Sequence, residues 1–164
     1  MTVPTLPGRH GAHRGLTLIE VLVVVGVMAL LSSMAMVSSG EGDEYALDMA
    51  ASQIIDTVDR ARTLAGSSRL AHGVVFDVEG DRFALVDENG EPVNDALTKR
   101  PYVRDFISPG QPRGVDLSVA VFGSAVTTAL FDSDGVPVSG GALILVRGKA
   151  SRTLSLDAAT GRMQ

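Results

Sequence analysis

The chain has 164 residues, a net charge of −5 and a mean hydropathy of +0.23, which suit one modest domain plus an apolar segment. It contains no cysteine, so disulfides, thiolate metal sites and cysteine nucleophiles are excluded. Arg9 and Arg14 precede the apolar segment, and without them 12 basic residues face 19 acidic ones. So acidic a chain repels phosphate backbones, and we expect no nucleic acid among its partners.

The first 37 residues divide into a basic tail and an apolar run. Residues 1–15 are rich in Pro and Gly, and their positive charge predicts that they stay in the cytoplasm. Leu16 to Val37 is almost wholly apolar. As a helix, ~22 residues span ~33 Å, which matches the hydrocarbon core of a bilayer. The pattern predicts a transmembrane helix over residues 16–37.

Three hypotheses explain this segment. It is a plain signal anchor, a cleaved secretory signal with Ser33 and Ala35 before the cut, or a signal cut between Gly15 and Leu16 on the cytoplasmic side. Glu20 distinguishes them, because a carboxylate in an inserted helix costs roughly 2.5–3.5 kcal/mol at the bilayer centre and less near the end. Only the third hypothesis gives this acid a partner, the α-amino group that cleavage would create at Leu16.

The run Gly15-Leu16-Thr17-Leu18-Ile19-Glu20, followed by apolar residues, resembles the prepilin cleavage and methylation motif. The resemblance implies that Gly15 is the last leader residue, cut by a prepilin peptidase. It implies that Leu16 becomes the N-methylated first residue, where the family most often has Phe, and that Glu20 acts in assembly. It further implies that other pilins or pseudopilins are partners through the N-terminal helix.

After the apolar run, the sequence predicts first a polar break and then an amphipathic helix. Residues 38–44 are polar and contain glycines, so they form either a hinge or a locally melted part of a longer helix. The helical period then returns up to about Ala65, where Gly66 breaks it. This period places seven apolar residues on one face: Leu47, Ala51, Ile54, Ile55, Val58, Ala61 and Ala65. The amphipathic helix is expected to cover a β-sheet.

After His72 the apolar period shortens to two residues, and turn signals become frequent. Strands are predicted at residues 73–78, 82–86, 115–122, 126–131, 142–146 and 153–156, with a further edge strand at 102–107 in a Pro-rich stretch. Helix first and strands after predict an α+β fold. A long N-terminal helix, partly transmembrane and partly amphipathic, packs on antiparallel sheets of about six or seven strands, as in pilins.

A narrower resemblance covers the second half of the chain. Residues 54–65 resemble the Ala-Arg-x-x-Ala helix end of GspH/FimT-type minor pseudopilins, and residues 129–135 resemble their Phe-x-x-x-Gly turn. Residues 141–145 and the closing Gly161-Arg162 also fit. The resemblance implies a minor pseudopilin.

No catalytic constellation is visible, so neither an enzyme nor a cofactor, metal or small-molecule substrate is expected. His72 is predicted to be a solvated loop residue. Asp132-Ser133-Asp134-Gly135 looks like the start of a calcium loop, but the twelfth position is Leu143 rather than glutamate, which favours a β-turn. Lys99, Arg100 and Arg104 form a small basic patch beside Tyr102 that is expected to be solvated.

The sequence therefore predicts a leader at 1–15, a transmembrane and assembly helix at 16–37, a linker at 38–44 and a periplasmic domain at 45–164. The predicted location is the inner membrane, with a single span. The predicted function is a structural subunit of a type II secretion pseudopilus or type IV pilus. The alternative is a single-pass, membrane-anchored β-rich binding domain that is not part of a filament.

Overall fold

The computed structural model describes residues 18–124 and 126–164, and for residues 33–41 it describes only the helical backbone. The chain divides into two compact units, Met1–Ser38 and Ser39–Gln164. One helix, α1 (Leu18–Ser68), has residues in both. Seven strands follow within the second unit: β1 (His72–Asp77), β2 (Arg82–Val86), β3 (Val103–Asp105), β4 (Asp116–Phe122), β5 (Thr128–Phe131), β6 (Gly141–Arg147) and β7 (Ala150–Leu156).

The strands form two antiparallel sheets, in the orders β3-β2-β1-β5 and β4-β6-β7. The predicted α+β class with antiparallel sheets is therefore confirmed. The edge strand predicted at 102–107 is present as the shorter β3. The strand predicted at 153–156 begins earlier, at Ala150, because β6 and β7 pair over their full lengths from Arg147↔Ala150 to Gly141↔Leu156.

The helix is continuous through residues 38–44, where the sequence indicates a polar break. Each glycine in a helix interior disfavours it by about 1 kcal/mol. The Nε of Arg147 lies 2.9 Å from Asp43 Oδ1, and both side chains are partly buried, so the ion pair joins this stretch to the end of β6. The helix ends at Ser68 rather than Ala65, and Arg69 follows with a left-handed φ of 61°.

The core of the second unit lies between the helix and the inner faces of both sheets. The predicted apolar face of the helix is buried, apart from Ile55, which is half-buried. Five phenylalanines fill the centre: Phe76, Phe83, Phe106, Phe122 and Phe131. The rings of Phe76 in β1 and Phe122 in β4 stack with centroids 5.5 Å apart, so an aromatic pair links the two sheets.

Candidate assembly site

The residues predicted to act in processing lie at the start of the chain. Gly15 and Leu16 are outside the described residues, whereas Glu20 lies in the first turn of α1. Its side chain is exposed, and a carboxylate in the first turn of a helix is stabilised by the helix dipole. Cleavage after Gly15, methylation of Leu16 and the assembly role of Glu20 stay predictions.

The helix around Glu20 exposes apolar side chains on every side. From Leu18 to Leu31, eleven large apolar residues have between 48% and 82% of their surface exposed: Leu18, Ile19, Val21, Leu22, Val23, Val24, Val25, Val27, Met28, Leu30 and Leu31. Among the described residues, no helix has the combined length and apolarity that a membrane span requires. A helix that is apolar all round is stable only when lipid or other protein covers it.

A second group of residues meets at the other end of α1, around Arg62. A Cβ at Gly135, whose φ is 76°, would lie 3.0 Å from the Arg62 carbonyl oxygen. A Cβ at Gly161, whose φ is 67°, would lie 3.5 Å from the Arg62 guanidinium carbon. The two glycines let the turn after β5 and the C-terminal turn close around one arginine. Three short segments singled out in the sequence thus form one structural unit.

The Arg62 side chain lines an open groove of about 460 Å³ together with Thr63, Val136 and Thr160. Asp59 and Asp134 also line it, and Asp134 is already paired with Arg69. Within residues 18–124 and 126–164, Arg62 makes no ion pair. Arg62 offsets the charge of Asp59, and Arg69 offsets that of Asp134. The net charge of the groove therefore favours neither an anionic nor a cationic ligand.

Comparison with known proteins bears on the N-terminal site. Residues 11–36 match the family model described as the prokaryotic N-terminal methylation motif. The chain carries a prokaryotic N-terminal methylation motif. The match spans the predicted cleavage point, Glu20 and most of the apolar run, so the motif includes all three residues singled out in the sequence.

Two solved structures resemble the chain over most of its length, and both are crystal structures of the type IV minor pilin FimU from Pseudomonas aeruginosa. The structure in space group P21 is 23% identical, covers 72% of this chain and 86% of its own, and has a TM-score of 0.49. The structure in space group P65 is 20% identical over 72% and 90%, with a TM-score of 0.48. No curated protein sequence matched the chain.

His72 is buried, contrary to the solvated loop position that the sequence indicates. It is the first residue of β1, and only 8% of its surface is exposed. Its Nδ1 lies 3.0 Å from the carbonyl oxygen of Leu70 and 3.5 Å from Ser68 Oγ. The histidine is buried because it belongs to β1 rather than to the loop, and its ring nitrogen contacts the three-residue connection between α1 and β1.

The segment Asp132–Gly135 forms the predicted β-turn. Asp132 Oδ1 accepts hydrogen bonds from the backbone N–H groups of Asp134 and Val136, both at 2.9 Å. The Gly135 N–H donates to the Asp132 carbonyl oxygen, also at 2.9 Å. In the described part of the chain no three His, Asp or Glu side chains are grouped as metal ligands. Asp132 Oδ1 and the Asp132 carbonyl oxygen are thus engaged in holding the turn.

The Pro-rich stretch between β2 and β3 has a defined structure that the sequence did not reveal. Residues 93–104 form a hairpin, here called the finger, in which Tyr102 N–H donates to the Val93 carbonyl oxygen at 2.9 Å. Its tip is closed by a 2.8 Å hydrogen bond from Asp95 N–H to the Arg100 carbonyl oxygen. The finger therefore presents its tip residues on an ordered backbone.

Two contacts hold the finger against the helix. Arg60 pairs with Asp95, with 3.5 Å between Nη1 and Oδ2, and the Tyr102 hydroxyl lies 3.4 Å from the buried Thr57 Oγ1. The guanidinium groups of Arg60 and Arg104 lie 4.9 and 5.0 Å from the centre of the Tyr102 ring. Of the basic patch predicted beside Tyr102, Arg104 therefore makes a cation–π contact with the tyrosine ring.

Asp95 also organises the tip. Its Oδ1 accepts hydrogen bonds from the backbone N–H groups of Leu97 at 2.9 Å and Thr98 at 3.0 Å. These backbone hydrogen bonds, with that of Thr98 the larger cause, lower the pKa of Asp95 below its usual 3.8, and the charge of Arg60 adds to the effect. The carboxylate is therefore ionised at neutral pH, the form in which it holds the finger tip.

Proposed function

We propose that the chain is a structural subunit of a type IV pilus or a type II secretion pseudopilus, of the minor GspH/FimT type. The observation that carries the proposal is the methylation motif at residues 11–36, with Glu20 inside an apolar helix. A membrane-anchored N-terminal helix follows from the motif. We further infer a single span of the inner membrane, a periplasmic second unit and no enzymatic activity.

In the proposed mechanism a prepilin peptidase cuts after Gly15, and Leu16 becomes the methylated mature terminus. The helix then leaves the bilayer for a bundle of similar helices. Apolar packing gives little preference between one helix and another in lipid. A carboxylate near the start of each helix, paired with the α-amino group of a neighbouring subunit, would set the register and direction of insertion. Glu20 supplies that carboxylate.

Glu20→Ala tests this mechanism in the full chain in its native host. We expect normal membrane insertion and cleavage, because removing a charge favours insertion, but strong loss from the sheared filament fraction on immunoblots. Glu20→Gln is the matched control for shape: it keeps the side-chain volume, removes the charge and should fail equally. Normal incorporation of both variants would remove Glu20 from the mechanism.

Mass spectrometry of the protein from its host tests the processing step separately. We expect a mature chain that begins at methylated Leu16. An intact Met1, or a new terminus near Met36, would contradict the proposal and favour the anchored binding domain. Leu16 replaces the commoner Phe, so the methylated fraction at this residue is itself informative.

A further inference from the structure

Part of the outer edge of β7 has no hydrogen-bonded neighbour. β6 lies on one side of β7, and on the other side Ser155 exchanges backbone hydrogen bonds of 2.7 and 3.0 Å with Gln164. Backbone groups of alternate residues in a strand point to the same side, so those of Ser151 and Thr153 also point away from β6. Within the described chain, neither residue has a backbone partner on that side. Two N–H groups and two carbonyl groups are therefore open along this edge.

The open stretch of β7 lacks the features that usually shield an edge strand, namely prolines, bulges and outward charges. β7, which the structure describes throughout, contains no proline and pairs with β6 without a bulge, and residues 151–153 are exposed. Its one charged side chain, Arg152, is paired with Asp48 of α1. The same edge already accepts an antiparallel neighbour, because Met163 pairs with Leu156 there.

A groove where α1 meets the start of β7 carries a net negative charge. It has a volume of about 260 Å³ and is lined by Glu44, Leu47, Asp48, Ala150, Ser151 and Arg152. Arg152 and Asp48 offset each other's charge. Glu44 is exposed and forms no ion pair with any residue that the structure describes. The groove therefore favours a cation.

Strand geometry connects this groove to the open edge. The side chain of Arg152 lies on the helix side of the sheet, where it meets Asp48, so that of Thr153 lies on the opposite side. A residue placed opposite Arg152 in an added strand would direct its side chain to the helix side, next to the groove. The residues before and after it would face the other side, where Thr153 neighbours Ile144 and Ile144 neighbours Val119.

We propose that the open edge of β7 binds an extended segment of a different protein, in which a lysine or arginine lies between two β-branched residues. The segment adds a strand at Ser151 and Thr153, in line with the residues that pair with Ser155 and Leu156. Its backbone bonds the four open groups, its cation pairs with Glu44, and its β-branched side chains extend the outer apolar face.

The charge of the groove distinguishes this partner from a second copy of the chain. A second β7 in the same place would offer only Arg152 as a cation, and Asp48 already neutralises that residue. The binding edge lies wholly in the second unit and would accept such a segment whether or not the chain enters a filament. The inference therefore goes beyond the proposed function and does not rest on it.

A synthetic peptide of sequence Val-Thr-Val-Lys-Val-Thr-Val, blocked at both ends, tests the proposal on the full chain in detergent. We expect saturable binding, measured by anisotropy of the labelled peptide. Hydrogen exchange at the Ser151 and Thr153 N–H groups should slow by about tenfold or more, because both become hydrogen-bonded. The Arg152 and Leu154 N–H groups already face β6, so their exchange should change much less.

Charge reversal in the peptide supplies the matched control for the groove. The same peptide with a central glutamate should bind roughly fivefold more weakly, as expected for loss of one exposed ion pair and its replacement by repulsion. Glu44→Lys should reverse that preference. Glu88→Lys changes an exposed acid that lies outside the groove, and it should leave the preference as in the parent chain.

Thr153→Pro removes one open N–H group without removing a hydrogen bond between β6 and β7, so it should abolish peptide binding. Thr153→Val keeps the donor and should bind as the parent does. The exchange experiment on the parent chain decides the matter if the proline variant fails to fold. No saturable binding, unchanged exchange at Ser151 and Thr153, or equal affinity for both peptides would overturn the proposal. So would protection of these groups that grows with protein concentration without peptide, since the occupant would then be a second copy.

Discussion

Gly135 lies where the turn after β5 approaches the helix at Arg62. Its φ of 76° lies in a region that L-residues with a side chain adopt at a cost of about 1–2 kcal/mol. A Cβ there would also lie 3.0 Å from the Arg62 carbonyl oxygen, which is backbone and cannot turn aside. Conformation and space therefore both require glycine at this residue.

Gly135→Ala should destabilise the second unit more than Gly90→Ala does. Gly90 has a similar φ of 81°, but nothing lies within 4 Å of the point that a Cβ would occupy. Gly90→Ala therefore measures the cost of the positive φ alone, without a steric clash. We expect about 1–2 kcal/mol of destabilisation at Gly90 and a larger value at Gly135. Urea unfolding of the two variants in detergent, followed by circular dichroism, measures the difference. Equal unfolding midpoints would mean that the contact with Arg62 relaxes freely.

The tip of the finger is organised by one carboxylate, that of Asp95. Asp95→Ala removes the acceptor for the Leu97 and Thr98 N–H groups and the partner of Arg60. We expect faster hydrogen exchange at Leu97 and Thr98 than in the parent chain, with little change in the midpoint of global unfolding, because the tip lies outside the core.

Asp95→Asn is the control for that experiment. It keeps a side-chain oxygen that accepts the two N–H groups but removes the charge that pairs with Arg60. Protection at Leu97 and Thr98 should therefore largely persist in Asp95→Asn. Equal loss of protection in both variants would assign the order of the tip to the ion pair rather than to the hydrogen bonds.

Several other turns of the molecule, like the finger tip, contain an aspartate that accepts backbone hydrogen bonds. These aspartates make the stability of the whole fold depend on pH in the acid range. Aspartates at turns and loops accept backbone N–H groups, which lower their pKa values below the usual 3.8: Asp77, Asp87, Asp95, Asp105 and Asp157. At Asp77 the Gly80 N–H is the main cause of the lowered pKa and Arg82 the next. Each group binds a proton less readily in the folded chain than in the unfolded one.

Stability should therefore be constant near neutral pH and fall in acid. A lowered folded pKa contributes stability that is fully present above the unfolded pKa of 3.8, and this stability is lost as the pH falls through the lower folded values. Urea midpoints measured from about pH 7 down to about pH 2 should be flat above about pH 5 and then decline. A midpoint that rises on acidification would contradict the assignment.

The sequence predicts the molecule best where its signals are local and repeated. The amphipathic face from Leu47 to Ala65 and the period-two strands are confirmed, because burial on one side imposes those periods. The prediction for His72 was wrong, because a single polar residue between a helix and a strand does not indicate whether it belongs to the loop or to the strand. Asp43, in the helical stretch at residues 38–44, pairs with the distant Arg147, and the finger contacts Thr57 and Arg60. Neither long-range contact is visible in local sequence.

The contacts of Tyr102 with Arg60 and Arg104 also make the fluorescence of this tyrosine a probe of the finger. The chain has no tryptophan and only two tyrosines, so its near-ultraviolet emission comes from Tyr45 and Tyr102. Tyr102 has the guanidinium groups of Arg60 and Arg104 at 4.9 and 5.0 Å from its ring centre, and Tyr45 is exposed on α1 beside Asp48 and Met49. With Tyr102→Phe as the spectral reference, unlabelled protein can report on each surface separately by fluorescence and absorbance.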